Sequence, residues 1–161
     1  MSTIIKPKYV TNGTALTITL TSLGPSTTAG RESNVIDNTT DRYDWFDVYI
    51  KTKIANSDTV ASPFALYVWW YPVIFDAAGN ALYPGGLTGS DADATPTEGA
   101  LNYLGAVPLL VKNTSYSKIF RIHGPLPPKC GVYVRNQCGV ALSGTAGDHL
   151  VVVNGGNMEI V

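Results

Sequence analysis

The sequence predicts an all-β protein: one β-sandwich of about eight strands, jelly-roll-like, with an immunoglobulin-like sandwich as the alternative. Three observations lead there. Apolar and polar side chains alternate with a period of two, as in residues 14–23, where Leu16, Ile18 and Leu20 share one face and Thr17, Thr19 and Thr21 the other. Clusters of Gly, Pro, Asn, Asp and Ser separate the alternating runs, and no run has the apolar spacing of a helix. Charged residues make up 14% of the chain, against about 25% in an ordinary soluble domain. Thr, Ser, Asn and Gly stand in their place, and these favour turns and strand surfaces.

The 161 residues suffice for one domain with a real core. Residues 1–13 read as an N-terminal arm or edge strand, and residues 14–161 as the sandwich. The first strand, 14–23, is broken by Gly24, Pro25 and Gly30. In 43–54, Phe46, Val48, Ile50 and Ile54 alternate with Trp45, Asp47, Tyr49, Lys51 and Lys53, and 55–58 carry turn chemistry. Residues 64–75 are apolar on both faces, as in a central strand. Trp69 and Trp70 there point to opposite faces, so at most one of them joins the sandwich core, and the other meets a second sheet, a long loop or another subunit. Residues 76–99 exceed the usual connection length and read as a functional excursion or a mobile surface loop. Strands follow at 101–111 and 115–122; the second ends at Gly124 to Pro128, where consecutive prolines cannot join a central ladder. Segments 131–136, 139–142, 148–153 and 158–161 complete the set, with turns at 143–147 and at Asn154-Gly155-Gly156-Asn157.

Several classes of function find no support in the residues. A net charge of −1 offers no basic face for nucleic acid. The run 64–75 contains Pro72 and is shorter than the ~20 residues that span a bilayer, so no membrane role is expected. The start of the chain lacks the order of a secretory signal. Cys130 and Cys138 have neither CxxC nor zinc-site spacing and are expected to be free, mostly buried thiols. His123 and His149 stand alone, without HExxH, GxSxG or a phosphate loop. The expectation is no enzyme, no metal and no cofactor. Asp37, Asp41, Asp44 and Asp47 do not match an EF-hand, and Asp91, Asp93 and Glu98 read as a solvated loop. A small β-sandwich hydrolase using His123 and His149 is the remaining catalytic reading.

Residues 29–40, Ala-Gly-Arg-Glu-Ser-Asn-Val-Ile-Asp-Asn-Thr-Thr, followed by Tyr43 and Asp47, resemble a segment of small tailed-bacteriophage proteins. Pro127-Pro-Lys-Cys-Gly-Val-Tyr-Val, Gly139-Val-Ala-Leu and Gly147-Asp-His149 resemble their C-terminal part, with Cys130 standing where an aromatic would be expected. The resemblance implies a virion structural component. Chemistry alone suggests a brace in the first block: Arg31 can fork onto Asp37 or Asp41, and residues 37–40 offer oxygens to nearby backbone N–H groups.

The expected function is therefore a non-catalytic capsid decoration (cement) protein on the capsid surface of a bacteriophage, assembled in the host cytoplasm. Its partner would be the major capsid protein, and a homotrimer would match capsid symmetry. The arm and the 76–99 loop are the expected contact elements. The alternative is a receptor- or glycan-binding module of a phage tail or fibre. Trp69, Trp70, Tyr71 and Tyr83 are its candidate contact aromatics, or else those of a subunit interface.

Overall fold

The computed structural model describes residues 4–56 and 64–160; residues 1–3 of the expected arm, 57–58 of the expected turn and Val161 lie outside the described residues. Among the described residues, twelve strands form two antiparallel sheets. They are β1 (Ile5–Tyr9), β2 (Thr14–Ala15), β3 (Gly30–Glu32), β4 (Ile36–Asp37), β5 (Trp45–Lys53) and β6 (Ala65–Phe75). There follow β7 (Ala81–Leu82), β8 (Ala92–Ala94), β9 (Asn102–Pro108), β10 (Ser115–His123), β11 (Lys129–Asn136) and β12 (Leu150–Ile160).

The pairing is nested. β1 and β2 pair with β12, β3 and β4 with β11, β5 with β10, and β6 with β9. The outermost strands of the chain thus pair with each other, then the next inward, down to a central pair. Two further ladders, β12 with β5 and β11 with β6, complete the sheets in the orders β1-β12-β5-β10 and β9-β6-β11-β3-β8. This is the jelly roll rather than the immunoglobulin order. Taking β1 with β2 and β3 with β4, and setting aside β7 and β8, leaves the eight strands of the simple fold.

Alternation selects the core. Along β5, Phe46, Val48, Ile50 and Thr52 are buried and the residues between them half-buried. They face Val132 and Val134 of β11 and Leu66 and Val68 of β6 across the sandwich. Each such apolar side chain contributes about 1.5–3 kcal/mol on burial. Cys130 and Cys138 are free and buried in this core, and burial pushes the Cys130 thiol up to about 12.

Three strand expectations change. Residues 16–20 keep their alternation of burial but leave the ladder after Ala15. Leu16 N–H still reaches Val151 O, whereas Thr17 pairs with Asn34 and Thr19 with the Asp91 side chain, because the chain is crossing from one sheet to the other. Residues 139–142 form one isolated bridge, Ile54 to Leu142, instead of a strand. The turn expected at 154–157 is absent, and β12 runs straight through it. Gly155 and Gly156 are there for close approach: a β-carbon would strike the ring of Tyr43 at the first and of Trp45 at the second.

The stretch 76–99 is not a bare loop: it carries short regular elements and is held against the sheet. It holds β7, β8 and a single 3-10 turn at Pro84–Gly86, and another 3-10 turn, Glu98–Ala100, closes it. It folds over the outer face of the β6–β11 sheet, where Trp69, Tyr71, Val73, Tyr133 and Leu87 make a second core. Glu32 pins it. Its carboxylate, 1% exposed, accepts hydrogen bonds from Thr88 N–H (3.0 Å), Thr88 Oγ1 (2.8 Å), Gly89 N–H (2.9 Å) and the Tyr71 hydroxyl (3.2 Å). Gly89 has φ +73, and a β-carbon there would collide with Tyr83 and Val35. Burial, with the Glu32 charge beside it, pushes the Tyr71 hydroxyl far above its ordinary value, so it remains a donor.

Glu32→Ala orphans those donors and is expected to cost about 3 kcal/mol or more in urea unfolding. Limited proteolysis of the variant should cut within 76–99 before the sandwich opens. A variant that resists protease as the parent does would show that Glu32 is not the pin.

Candidate interaction surface

The residues singled out in the first block do not meet one another. Arg31 on β3 lies cross-strand from Asp93 on β8. Its guanidinium forks onto Asp91 (Nε to Oδ1, 2.7 Å) and Asp93 (Nη1 to Oδ1, 2.9 Å), not onto Asp37 or Asp41. Asp37 sits on β4, opposite Lys129 of β11. Six residues of near-extended chain can separate positions 31 and 37 by up to about 20 Å, so their side chains find different partners. Asp37 accepts from Thr39 N–H (2.9 Å) and Thr39 Oγ1 (2.6 Å) and pairs with Lys129 (3.0 Å). The Thr39 hydroxyl first, then its N–H and the Lys129 ammonium, bring the Asp37 carboxyl down to about 2. Asp41 lies beside the Tyr43 hydroxyl, which burial and the Asp41 charge push up.

The acids of the excursion are likewise engaged. Burial raises the Asp91 carboxyl, but bonds from Arg31 and Thr19 outweigh it and hold the group below the usual carboxylate range. Glu98 pairs with Arg135, whose guanidinium also stacks 5.0 Å from the Trp69 ring. Asp91, Asp93 and Glu98 thus clamp the excursion to β3 and β11 through two arginines.

The aromatic residues divide as the strand period requires. Trp70 is half-buried and packs on the main core, whereas Trp69, 5% exposed, and Tyr71 lie under the excursion. Tyr83 is half-buried against the same second core. No open platform forms at Trp69 or Tyr83. Tyr103, which no sequence motif marks, is 57% exposed with its ring 5.5 Å from Trp69. A pattern of alternation cannot reveal which face of β9 a distant excursion leaves bare.

His149 has both ring nitrogens in structural bonds, to Thr52 Oγ1 and to the Ser143 carbonyl, each 2.9 Å. The adjacent Ser143 hydroxyl donates to Asp148 (2.6 Å), not to the imidazole. His123 is exposed at the end of β10. The two histidines sit on different elements and share no hydroxyl partner among the described residues.

One element reaches past the sandwich. The β12–β5 ladder ends at Gly156 opposite Trp45, yet β12 continues to Ile160 and pairs there with β1 alone, from Lys8↔Asn157 to Ile5↔Ile160. This two-stranded ribbon is exposed along β1, and Ile5 (57%) and Met158 (53%) show their side chains to solvent. Its free edge carries Lys6, Pro7 and Lys8, residues that discourage further strand addition. The last residues of β6 and β7 expose Ile74, Phe75 and Leu82 at the same end of the sandwich, since Val73 pairs with Lys129 at the start of β11.

No protein-family model and no curated protein matches the chain.

The Asp37 contacts are open to direct measurement. Its carboxyl titration followed by NMR should have a midpoint near 2, and Thr39→Ala should move that midpoint toward the ordinary ~4. A depressed carboxyl stabilises the fold above its unfolded value, and the contribution is lost as pH falls through the folded one. The 37–44 loop should therefore loosen only in strong acid. A native midpoint near 4 would refute the bonds to Thr39.

Proposed function

We propose that this chain is a non-catalytic structural protein of a bacteriophage virion, most specifically a decoration protein that binds and stabilises the assembled head shell. The observation that carries the reading is the projecting ribbon. A two-stranded ribbon is marginal in water, and this one ends in exposed apolar side chains, which favours a partner that covers them. The phage-like sequence blocks and the jelly roll, an architecture used by viral capsid domains, support the same reading. On it the partner is the major capsid protein, and a closed trimer would match the local symmetry of a shell. The ribbon together with the Ile74–Leu82 edge could supply the ~800 Å² per partner of a standard interface.

The tail or fibre glycan-binding alternative has less to stand on. Of the aromatics expected to serve it, Trp69 lies beneath the excursion and Tyr83, within the excursion, is half-buried against the same second core, whereas Tyr103 next to Trp69 is exposed.

Quantitative mass spectrometry of purified particles should find this chain in a simple ratio to the shell protein. A few copies per particle would favour the tail, and none would remove it from the virion. In a reconstituted shell-binding assay the double variant Ile5→Asp, Met158→Asp should lose at least about tenfold in affinity while its Tm stays within a few degrees, since both side chains are exposed. Unchanged binding would take the ribbon out of the interface.

A further inference from the structure

The loop between β4 and β5 and the loop between β10 and β11 enclose an open cavity of about 880 Å³ at the ribbon end of the sandwich. That is within the size range of ligand sites, 300–1,000 Å³. Its walls are preorganised. Asn38 is buried; its Nδ2 donates to the Tyr43 carbonyl (3.2 Å), its Oδ1 accepts from Tyr43 N–H (2.7 Å), and its own N–H donates to Pro128 O (2.7 Å). The Asp44 N–H donates to Gly156 O (2.9 Å), and the Asp44 carboxylate accepts from Met158 N–H (2.7 Å). Thr39 is bonded to Asp37, and Asp37 to Lys129. The fold itself therefore occupies the Asn38 and Thr39 side chains and one oxygen of Asp44.

Two cavity-lining groups remain uncommitted: the guanidinium of Arg42 and the imidazole of His123, neither with a side-chain hydrogen bond or ion pair among the described residues. Arg42 also holds φ at +51. That conformation costs a residue with a β-carbon about 1 kcal/mol and glycine almost nothing. Arg42 N–H closes the loop onto Asn38 O (3.2 Å), a bond glycine would make equally well. The fold thus gains nothing visible from an arginine here. Beside the free cation the lining is apolar: Pro125, Leu126, Pro127 and the half-buried Tyr43.

We infer that this cleft binds an extended peptide segment through an acidic side chain flanked by apolar residues. Arg42 takes the carboxylate in a two-point fork, the geometry its guanidinium favours, and His123 is a second donor at the rim. Pro125, Leu126 and Tyr43 receive the neighbouring apolar side chains. The chemistry fits a peptide better than a saccharide. Sugar hydroxyls call for amide or carboxylate partners and an open aromatic face, whereas both ends of the Asn38 amide are engaged and the Tyr43 ring packs edge-on against Phe46 at 5.6 Å. Three acids are near. Asp41 lies beside the Tyr43 hydroxyl, Asp44 is bonded to Met158 N–H, and Asp37 is paired with Lys129, so none of them is an established partner of Arg42.

The inference does not depend on the virion reading, and its test uses the free full-length chain. A pool of capped pentapeptides with a central Asp or Glu between varied Leu, Val and Ile residues is titrated while the Arg42 Nε–H and the backbone signals of 38–44 and 124–128 are followed by NMR. The acidic pool should shift those signals, and the matching Asn/Gln pool should bind at least about tenfold more weakly. Arg42→Gly should abolish the shifts while Tm holds or rises, because glycine relaxes the positive φ. Arg42→Lys should keep only part of the affinity, since a point charge replaces the fork. Four results would overturn the inference: no shift with the acidic pool, equal binding of the two pools, a fall in Tm for Arg42→Gly, or a response to glucuronate or N-acetylneuraminate in place of the peptides.

Discussion

A single buried carboxylate sets the character of the two faces of this molecule. Glu32 sits on a short strand between β11 and β8 and gathers the backbone of Thr88 and Gly89 from more than fifty residues away in the chain. A carboxylate removed from water must have its lone pairs filled, and two backbone N–H groups, a serviceable hydroxyl and a phenol fill them here. Once that knot is tied, the excursion has little choice of position. Arg31 and Arg135 then meet its acids from below, and Leu87 falls onto the second core. The sheet built around β6 and β11 is consequently covered on both sides, which explains why those strands are apolar on both faces while β5 alternates cleanly.

Among the described residues the opposite sheet has no such cover. Its outer face carries cross-strand polar chemistry, with Arg121 and Asp47 meeting in a two-point pair at 2.7 Å for each contact and Arg121 lying 5.6 Å from the Trp45 ring. Exposed Ile119 and Leu150 are interspersed with these groups rather than gathered into one patch. Apolar exposure lies instead at the two ends of the sandwich: Ile5, Met158, Ile74, Phe75 and Leu82 where the β1–β12 ribbon, the β6–β7 corner and the Arg42 cleft come together, and Leu110 and Val111 at the other end.

The nested pairing ties that end together as well. Because β1 pairs with β12, both strands of the ribbon leave the body beside the loop that carries Arg42 and Asp44, and the bond from Met158 N–H to Asp44 joins the ribbon to the cleft. The Asp44 N–H bond to Gly156 O and the ring of Tyr43, which lies over Gly155, tie the same loop to the base of the ribbon.

The period-two alternation, the turn clusters and the absence of helical spacing were sufficient for the all-β class and for most of the core, since which side chains face inward along a strand is a local property. The opposite fates of Trp69 and Trp70 followed from the same geometry. Ion-pair partners are not local in this way: Asp37 and Asp41 lie within ten residues of Arg31, yet the strand pairing carries it to Asp91 and Asp93. The glycines of 154–157 looked like a turn because a sequence does not show that Tyr43 and Trp45 need their missing side chains. Composition and alternation thus determined that this chain is a β-sandwich and which residues line it. The nested order of its strands, the carboxylate that folds the excursion down, and the meeting of Arg42, His123 and the ribbon at one end arose only in the folded chain, because each rests on contacts between residues tens of positions apart.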